Sequence, residues 1–300
     1  GASEGSVMAA VVEPITGRYV RVDIGGVAHR VYVEEAGSGV PLLCLHTAGA
    51  DTRQFRGVLN DDEVLRQCRV VTFDLPWHGK SSPPAGWHDT TYQLTADRYS
   101  EIVVAVIEAL DLDRPIVMGC SIGGREVLYL AADHADRIGG VIGLQSGGHV
   151  DPYYDTEWLD RPDVHGGLVC AGVVSGLISP TAPEAERWET LWHYMQGGPG
   201  VFKGDLYFSK VDGDVRDRLA AIDTERCPVF LLTGEYDYSC TPEDTLDVRK
   251  SVAGSHATIM SGLGHFPMSE DYERFATYFR STLAAALAER RKLLEGGDQG

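Results

Sequence analysis

Positive charge is what this chain has too little of. Its 300 residues carry 26 lysines and arginines against 44 aspartates and glutamates, a formal net charge of −18. So acidic a balance argues against nucleic acid, whose phosphates reward basic patches. It also opposes docking on anionic lipid, so neither nucleic acid nor a membrane is an expected partner. No apolar run approaches the roughly 20 residues that a membrane-spanning helix needs. Residues 1–17 lack a basic start followed by an apolar core, so no secretory signal is expected. The six cysteines, Cys44, Cys68, Cys120, Cys170, Cys227 and Cys240, form no C-x-x-C pair. Several lie in apolar runs, which predicts buried, reduced thiols in a cytoplasmic protein. H-E-x-x-H and G-x-x-x-x-G-K-[ST] are absent. Asp212-Gly213-Asp214 starts like a calcium loop, but Arg216 stands at its third acidic position. No metal and no organic cofactor is expected.

What is present alternates. Apolar runs at 41–46, 69–74, just before Ser121, at 138–144, 228–233 and 257–260 read as buried strands. Residues 19–24 and 27–35, joined by Gly25-Gly26, read as a hairpin. Tyr99, Val103, Val106, Ile107 and Leu110 recur at helical spacing and give one apolar face. Further helices are expected from Thr241-Pro242 and over 269–294. Strands alternating with helices predict an α/β fold, a mostly parallel eight-stranded sheet flanked by helices. In such sheets ligands bind beyond the carboxyl ends of the strands.

Residues 146–215 break the rhythm and are too long for a plain loop. They read as a largely helical cap inserted between two core segments, 1–145 and 216–300. Its aromatics are Tyr153, Tyr154, Trp158, Trp188, Trp192, Tyr194, Phe202, Tyr207 and Phe208. They form either the cap's own core or a wall over a site, with Trp158, Trp188 and Trp192 as candidate substrate contacts.

The strand ends carry the chemistry. Gly119-Cys120-Ser121-Ile122-Gly123 fits G-x-S-x-G, with a strand-like run before it and a helix-like run after. Such a junction puts the serine on a sharp turn with its Oγ exposed. The plainer alternative is that Ser121 only caps the helix. A serine nucleophile needs a base to take its proton, and histidine titrates in the right range. The histidine in turn needs a carboxylate to fix its tautomer. His265 lies in Gly262-Leu263-Gly264-His265-Phe266-Pro267 after the last strand, and Asp237 in Gly234-Glu235-Tyr236-Asp237 after the preceding one. Glu235 is the rival acid. An oxyanion would be held by the Ile122 N–H and by a second donor in Thr47-Ala48-Gly49-Ala50, with the Ala48 N–H favoured.

With these residues assembled, the chain resembles the α/β-hydrolase fold superfamily over nearly its whole length. It is similar to the cap-bearing branch of small-molecule esterases, lactonases, cofactor-free haloperoxidases and carbon–carbon bond hydrolases. The matching blocks are His46 with its following loop, Asp74-Leu75-Pro76-Trp77-His78-Gly79-Lys80-Ser81, the Ser121 elbow, and the Asp237 and His265 loops. The resemblance implies a serine hydrolase acting on a small carboxylic ester or lactone with an apolar or aromatic part. Two alternatives share the fold: carbon–carbon bond hydrolysis of a ketone-bearing ring-cleavage product, and a non-catalytic small-ligand receptor. A homodimer is compatible with the sequence.

Relatives that need an elbow aspartate (haloalkane dehalogenases, epoxide hydrolases) or cysteine (dienelactone hydrolases) are excluded by Ser121. Cys120 is expected to point into the strand layer. Thr47 and Trp77 stand where the family usually has glycine. Thr47 is expected to keep a negative φ and to turn its hydroxyl toward the site as an extra donor. Trp77 either walls the pocket or packs beneath the cap. His46, Trp77 and Phe266 complete the candidate substrate contacts, with His149, His165 and His193 as lesser ones.

Overall fold

A computed structural model describes residues 8–151 and 155–297; Tyr153 and Tyr154 lie outside the described residues. Eight strands form one sheet: β1 (Thr16–Ile24), β2 (Val27–Gly37), β3 (Val40–Leu45), β4 (Cys68–Phe73), β5 (Ile116–Cys120), β6 (Gly140–Leu144), β7 (Val229–Gly234) and β8 (His256–Met260). Their order is β1-β2-β4-β3-β5-β6-β7-β8. Strand β2 runs antiparallel to β1 and β4, and the remaining pairs are parallel. The hairpin closes where Ile24 pairs with Val27. Gly25 and Gly26 both take positive φ there, the backbone a two-residue type I′ turn demands.

Alternation along the strands sorts side chains into two layers. Leu43, Leu45, Val117 and Val141 join Tyr99, Val103, Val106 and Ile107 of the helix Ala96–Ala109, together with Val127 and Leu128 of the helix Ile122–Asp133. Leu42, Cys44, Ile116, Met118 and Ile142 face the other way, against Phe275, Phe279 and Leu283. Strands β5, β6 and β7 are buried end to end, as a sheet covered on both faces requires.

The helix expected over 269–294 is in fact two pieces, a turn Pro267–Glu270 and a helix Tyr272–Gly297. The chain breaks at Asp271 because Glu270 turns its carboxylate inward, while Asp271 accepts the Arg274 N–H at 3.2 Å. Between β6 and β7 the described residues form no strand, and the helices Gly166–Ser175, Glu184–Tyr194 and Val201–Tyr207 fill the interval. Buried Arg125 ties this insertion to the core by donating to the carbonyls of Gly147, Ser209 and Gly213. All six cysteines are buried and free. Among the described residues no helix is long and apolar enough to cross a membrane.

Candidate active site

Strand β5 ends at Cys120 and the next helix starts at Ile122, so one residue makes the whole reversal. Ser121 does so at φ 60°, ψ −108°, a conformation that costs a non-glycine residue roughly 1–3 kcal/mol. Its N–H donates to the Leu144 carbonyl at 3.0 Å, fixing the turn to β6. A Cβ on Gly119 would collide with the Gly123 carbonyl, one on Gly123 with Leu45, and one on Gly124 with the Leu144 carbonyl. The hydroxyl makes no capping bond to the helix. Its Oγ lies 3.0 Å from His265 Nε2, and His265 Nδ1 lies 2.6 Å from Asp237 Oδ2. Asp237 is buried, and its other oxygen accepts the N–H groups of Ser239 and Cys240 at 2.8 and 3.0 Å. Glu235, the rival acid, instead accepts the Gly262 N–H at 2.7 Å.

Two residues that no motif flags hold these loops. The buried Glu270 carboxylate accepts the N–H groups on both sides of His265, Gly264 at 3.1 Å and Phe266 at 2.9 Å, and that of Ser179 at 2.8 Å. Burial pushes its pKa up against the pull of these three donors. Gln145 donates to the Gly264 carbonyl at 2.6 Å and accepts the Gly234 N–H at 3.3 Å, bracing both loops from the end of β6. Cys120 is buried beneath them, its thiol 3.4 Å from the His265 carbonyl. Both Glu270 and Gln145 act on backbone amides, so no residue pattern in the sequence marks them.

Across the cavity stands the loop after β3. Its N–H groups are almost all committed: Thr47 to Gln54 Oε1 at 2.9 Å, Gly49 to Asp205 Oδ2 at 2.8 Å, and Ala50 to the Thr47 carbonyl at 3.3 Å. The Ala48 N–H has no partner among the described residues. Ile122 opens a helix, so its N–H has no acceptor within the helix. Thr47 is not among the positive-φ residues, as expected. Its hydroxyl, however, is engaged by the Tyr194 hydroxyl and by Gln54 Nε2 at 2.9 Å, so it is no extra donor to the site.

Residues 40–165 match the family model described as alpha/beta hydrolase fold. The structure superposes on a thermophilic esterase from Thermogutta terrifontis with a TM-score of 0.76, covering 90% of this chain and 99% of that one at 19% identity. This chain has the α/β-hydrolase fold. It is also similar to a solved N-acyl homoserine lactone degrading enzyme, Est816 (TM-score 0.70, 26% identity, 87% and 99% coverage). Among curated proteins it is 30% identical over 110 residues to zearalenone hydrolase of Bionectria ochroleuca, spanning 36% of this chain and 39% of that protein. The chain matches less than half the length of the first curated relatives, 39%, 32% and 48%.

The cavity at Ser121 is small, about 30 Å³, room for roughly two waters. Phe266 lines it, with Val173, Val174, Tyr194 and Phe202 from the insertion. The three candidate tryptophans do not. Trp158, Trp188 and Trp192 are 50%, 59% and 53% exposed. Trp188 and Trp192 sit four residues apart on the outer face of their helix, whose Leu191 and Tyr194 point inward. Arg161 stacks over Trp158 and Arg53 over Trp192. His46 is no substrate contact either. It is buried, its Nδ1 donates to the Thr47 carbonyl at 2.8 Å, and its Nε2 accepts the Leu75 N–H at 3.1 Å.

Trp77 takes φ 78°, which explains the family's glycine there. It packs on Tyr92 and Trp87 and lines a second cavity of about 370 Å³, not the one at Ser121. Leu206 and Lys210 line both cavities. His149 pairs with Asp151 and His165 caps its helix, and neither lines the Ser121 cavity.

His193 is buried with neither ring nitrogen hydrogen-bonded, its Nε2 3.7 Å from Glu189 Oε1. Burial above all lowers its pKa from 6.5 to about 4, and the same cause lowers His46 to about 4. The unfolded chain therefore takes up protons first as pH falls. The stability both groups contribute is whole above pH 6.5 and is lost between 6.5 and 4. His193→Leu should raise the melting temperature by about 2–4 °C at pH 5, and by less at pH 8. Equal shifts at the two pH values would mean that His193 does not resist protonation in the fold.

Proposed function

We propose that the protein is a serine hydrolase that cleaves a small carboxylic ester or lactone through an acyl-enzyme. The observation that carries this is the unbroken line from Ser121 Oγ through His265 to buried Asp237, at 3.0 and 2.6 Å. His265 Nε2 takes the serine proton as Oγ attacks the carbonyl carbon. The carbonyl electron pair moves onto oxygen, where the Ala48 and Ile122 N–H groups receive it. Asp237 stabilises the imidazolium. His265 then protonates the departing oxygen, and a water activated by the same nitrogen releases the acid.

The insertion acts as a cap that keeps bulk water from the acyl-enzyme. The small cavity at Ser121 suits a short acyl group, and an apolar or aromatic remainder extends past Leu206 toward Trp77, Trp87 and Tyr92. Likeness to an esterase and to a lactone-degrading enzyme supports this substrate class. Free, buried thiols fit a cytoplasmic setting.

The test is pre-steady-state hydrolysis of p-nitrophenyl acetate. A burst of p-nitrophenol stoichiometric with enzyme, then slower turnover, is the expected result. No hydrolysis of this ester and no ring opening of a phenyl-substituted δ-lactone would sink the proposal. Cleavage confined to dienol-ketone acids would replace it with carbon–carbon hydrolysis.

A further inference from the structure

The loop that carries the Ala48 N–H is held by a carboxylate from the cap. Asp205, in the helix Val201–Tyr207, is fully buried and receives donors from three separate core segments. Its Oδ2 accepts the Gly49 N–H at 2.8 Å and lies 2.6 Å from His78 Nε2; its Oδ1 accepts the Tyr92 hydroxyl at 2.7 Å. His78 Nδ1 lies 2.9 Å from the Pro76 carbonyl. Both ring nitrogens thus face acceptors, an arrangement that favours the doubly protonated ring. Burial opposes that charge, the Asp205 carboxylate and the hydrogen bonds outweigh it, and the His78 pKa is held above its ordinary value.

From this geometry we infer that Asp205 is a positioning residue for the oxyanion loop. Its hydrogen bond to Gly49 fixes the peptide next to Ala48 and so aims the Ala48 N–H at the developing oxyanion. The inference rests on the serine-hydrolase proposal above. Asp205 touches neither substrate nor reacting atoms in this account. The arrangement makes the oxyanion loop dependent on a cap side chain, so the donor is aimed only while the cap is seated.

The side-chain chemistry supplies a sharp test. In Asp205→Asn the amide oxygen takes the Oδ2 place and still accepts the Gly49 N–H, while its NH₂ donates to the Tyr92 oxygen. Asp205→Ala removes the acceptor outright. On p-nitrophenyl acetate, Asp205→Ala should lose about 100-fold in kcat with KM little changed, the scale of a misaimed donor. Asp205→Asn should keep kcat within about fivefold, yet melt earlier, because buried His78 Nε2 then faces a neutral amide in place of a carboxylate. An aryl trifluoromethyl ketone, whose adduct with Ser121 carries an oxyanion, should lose affinity in parallel with kcat across the series.

A purely structural tether predicts otherwise: Asn and Ala would melt early alike, with kcat per folded molecule and ketone affinity unchanged. That pattern overturns the inference, as does an Asn variant with kcat as low as that of Ala. If Ala does not fold, near-isosteric Asp205→Leu replaces it. If neither folds, Asp205→Glu, which displaces the acceptor from the Gly49 N–H, replaces them: parallel loss of kcat and ketone affinity upholds the role, and both unchanged in the folded variant refutes it. Wild-type turnover keeps the two levels apart. Failure to hydrolyse either the ester or the lactone brings down the enzyme proposal and this inference together, whereas turnover with a flat variant series brings down only the inference.

Discussion

Ser121→Ala is expected to lower kcat on a p-nitrophenyl ester by about 10⁴- to 10⁶-fold, the loss that follows removal of an acylating nucleophile. The expected effect on stability is small. Alanine at φ 60° carries the same backbone strain as serine, and among the described residues the hydroxyl lost bonds to His265 and not to the helix it precedes. Kinetics and thermal melting of the variant check both halves. A variant that keeps a tenth of the activity would place the nucleophile elsewhere. One that unfolds would mean the hydroxyl has a structural partner this account misses.

The second large effect is at Asp237. Its two oxygens have separate duties, one accepting the Ser239 and Cys240 N–H groups and the other facing His265 Nδ1. In Asp237→Asn the amide oxygen stays with the two backbone donors, so the NH₂ must face Nδ1. The imidazole then carries its proton on Nε2, presenting Ser121 with a donor where an acceptor is needed. A loss of about 10⁴-fold in kcat at neutral pH follows, with the fold preserved. Glu235→Gln is the control and should stay near wild type, since Glu235 holds the turn at Ser261 and Gly262. A large loss in the control with a small one in Asp237→Asn would exchange the two roles.

The centre of the sheet was legible because burial on both faces leaves near-continuous apolar runs in β5, β6 and β7, whereas β1 is largely exposed and β8 buries only Met260. The elbow was legible because its glycines answer specific contacts: Gly119 and Gly123 lie against backbone that a Cβ would strike. The cap was not. Trp188 and Trp192 look like walls of a pocket, but the sequence does not say which face of an isolated amphipathic helix meets the core. Here Leu191 and Tyr194 won it. Tyr194 then reaches Thr47 and takes the hydroxyl that was expected to face substrate. Glu270, Gln145 and Asp205 were missed for a common reason. Each works by accepting or donating at main-chain groups, with no spacing rule to betray it.

The central claim is that Ser121 is an activated nucleophile, and covalent labelling tests it most directly. Intact-mass spectrometry after reaction with a fluorophosphonate, followed by peptide mapping, should show one adduct per chain, on Ser121, that is lost in Ser121→Ala. A folded protein that takes no label, or takes it on another residue, would contradict the account.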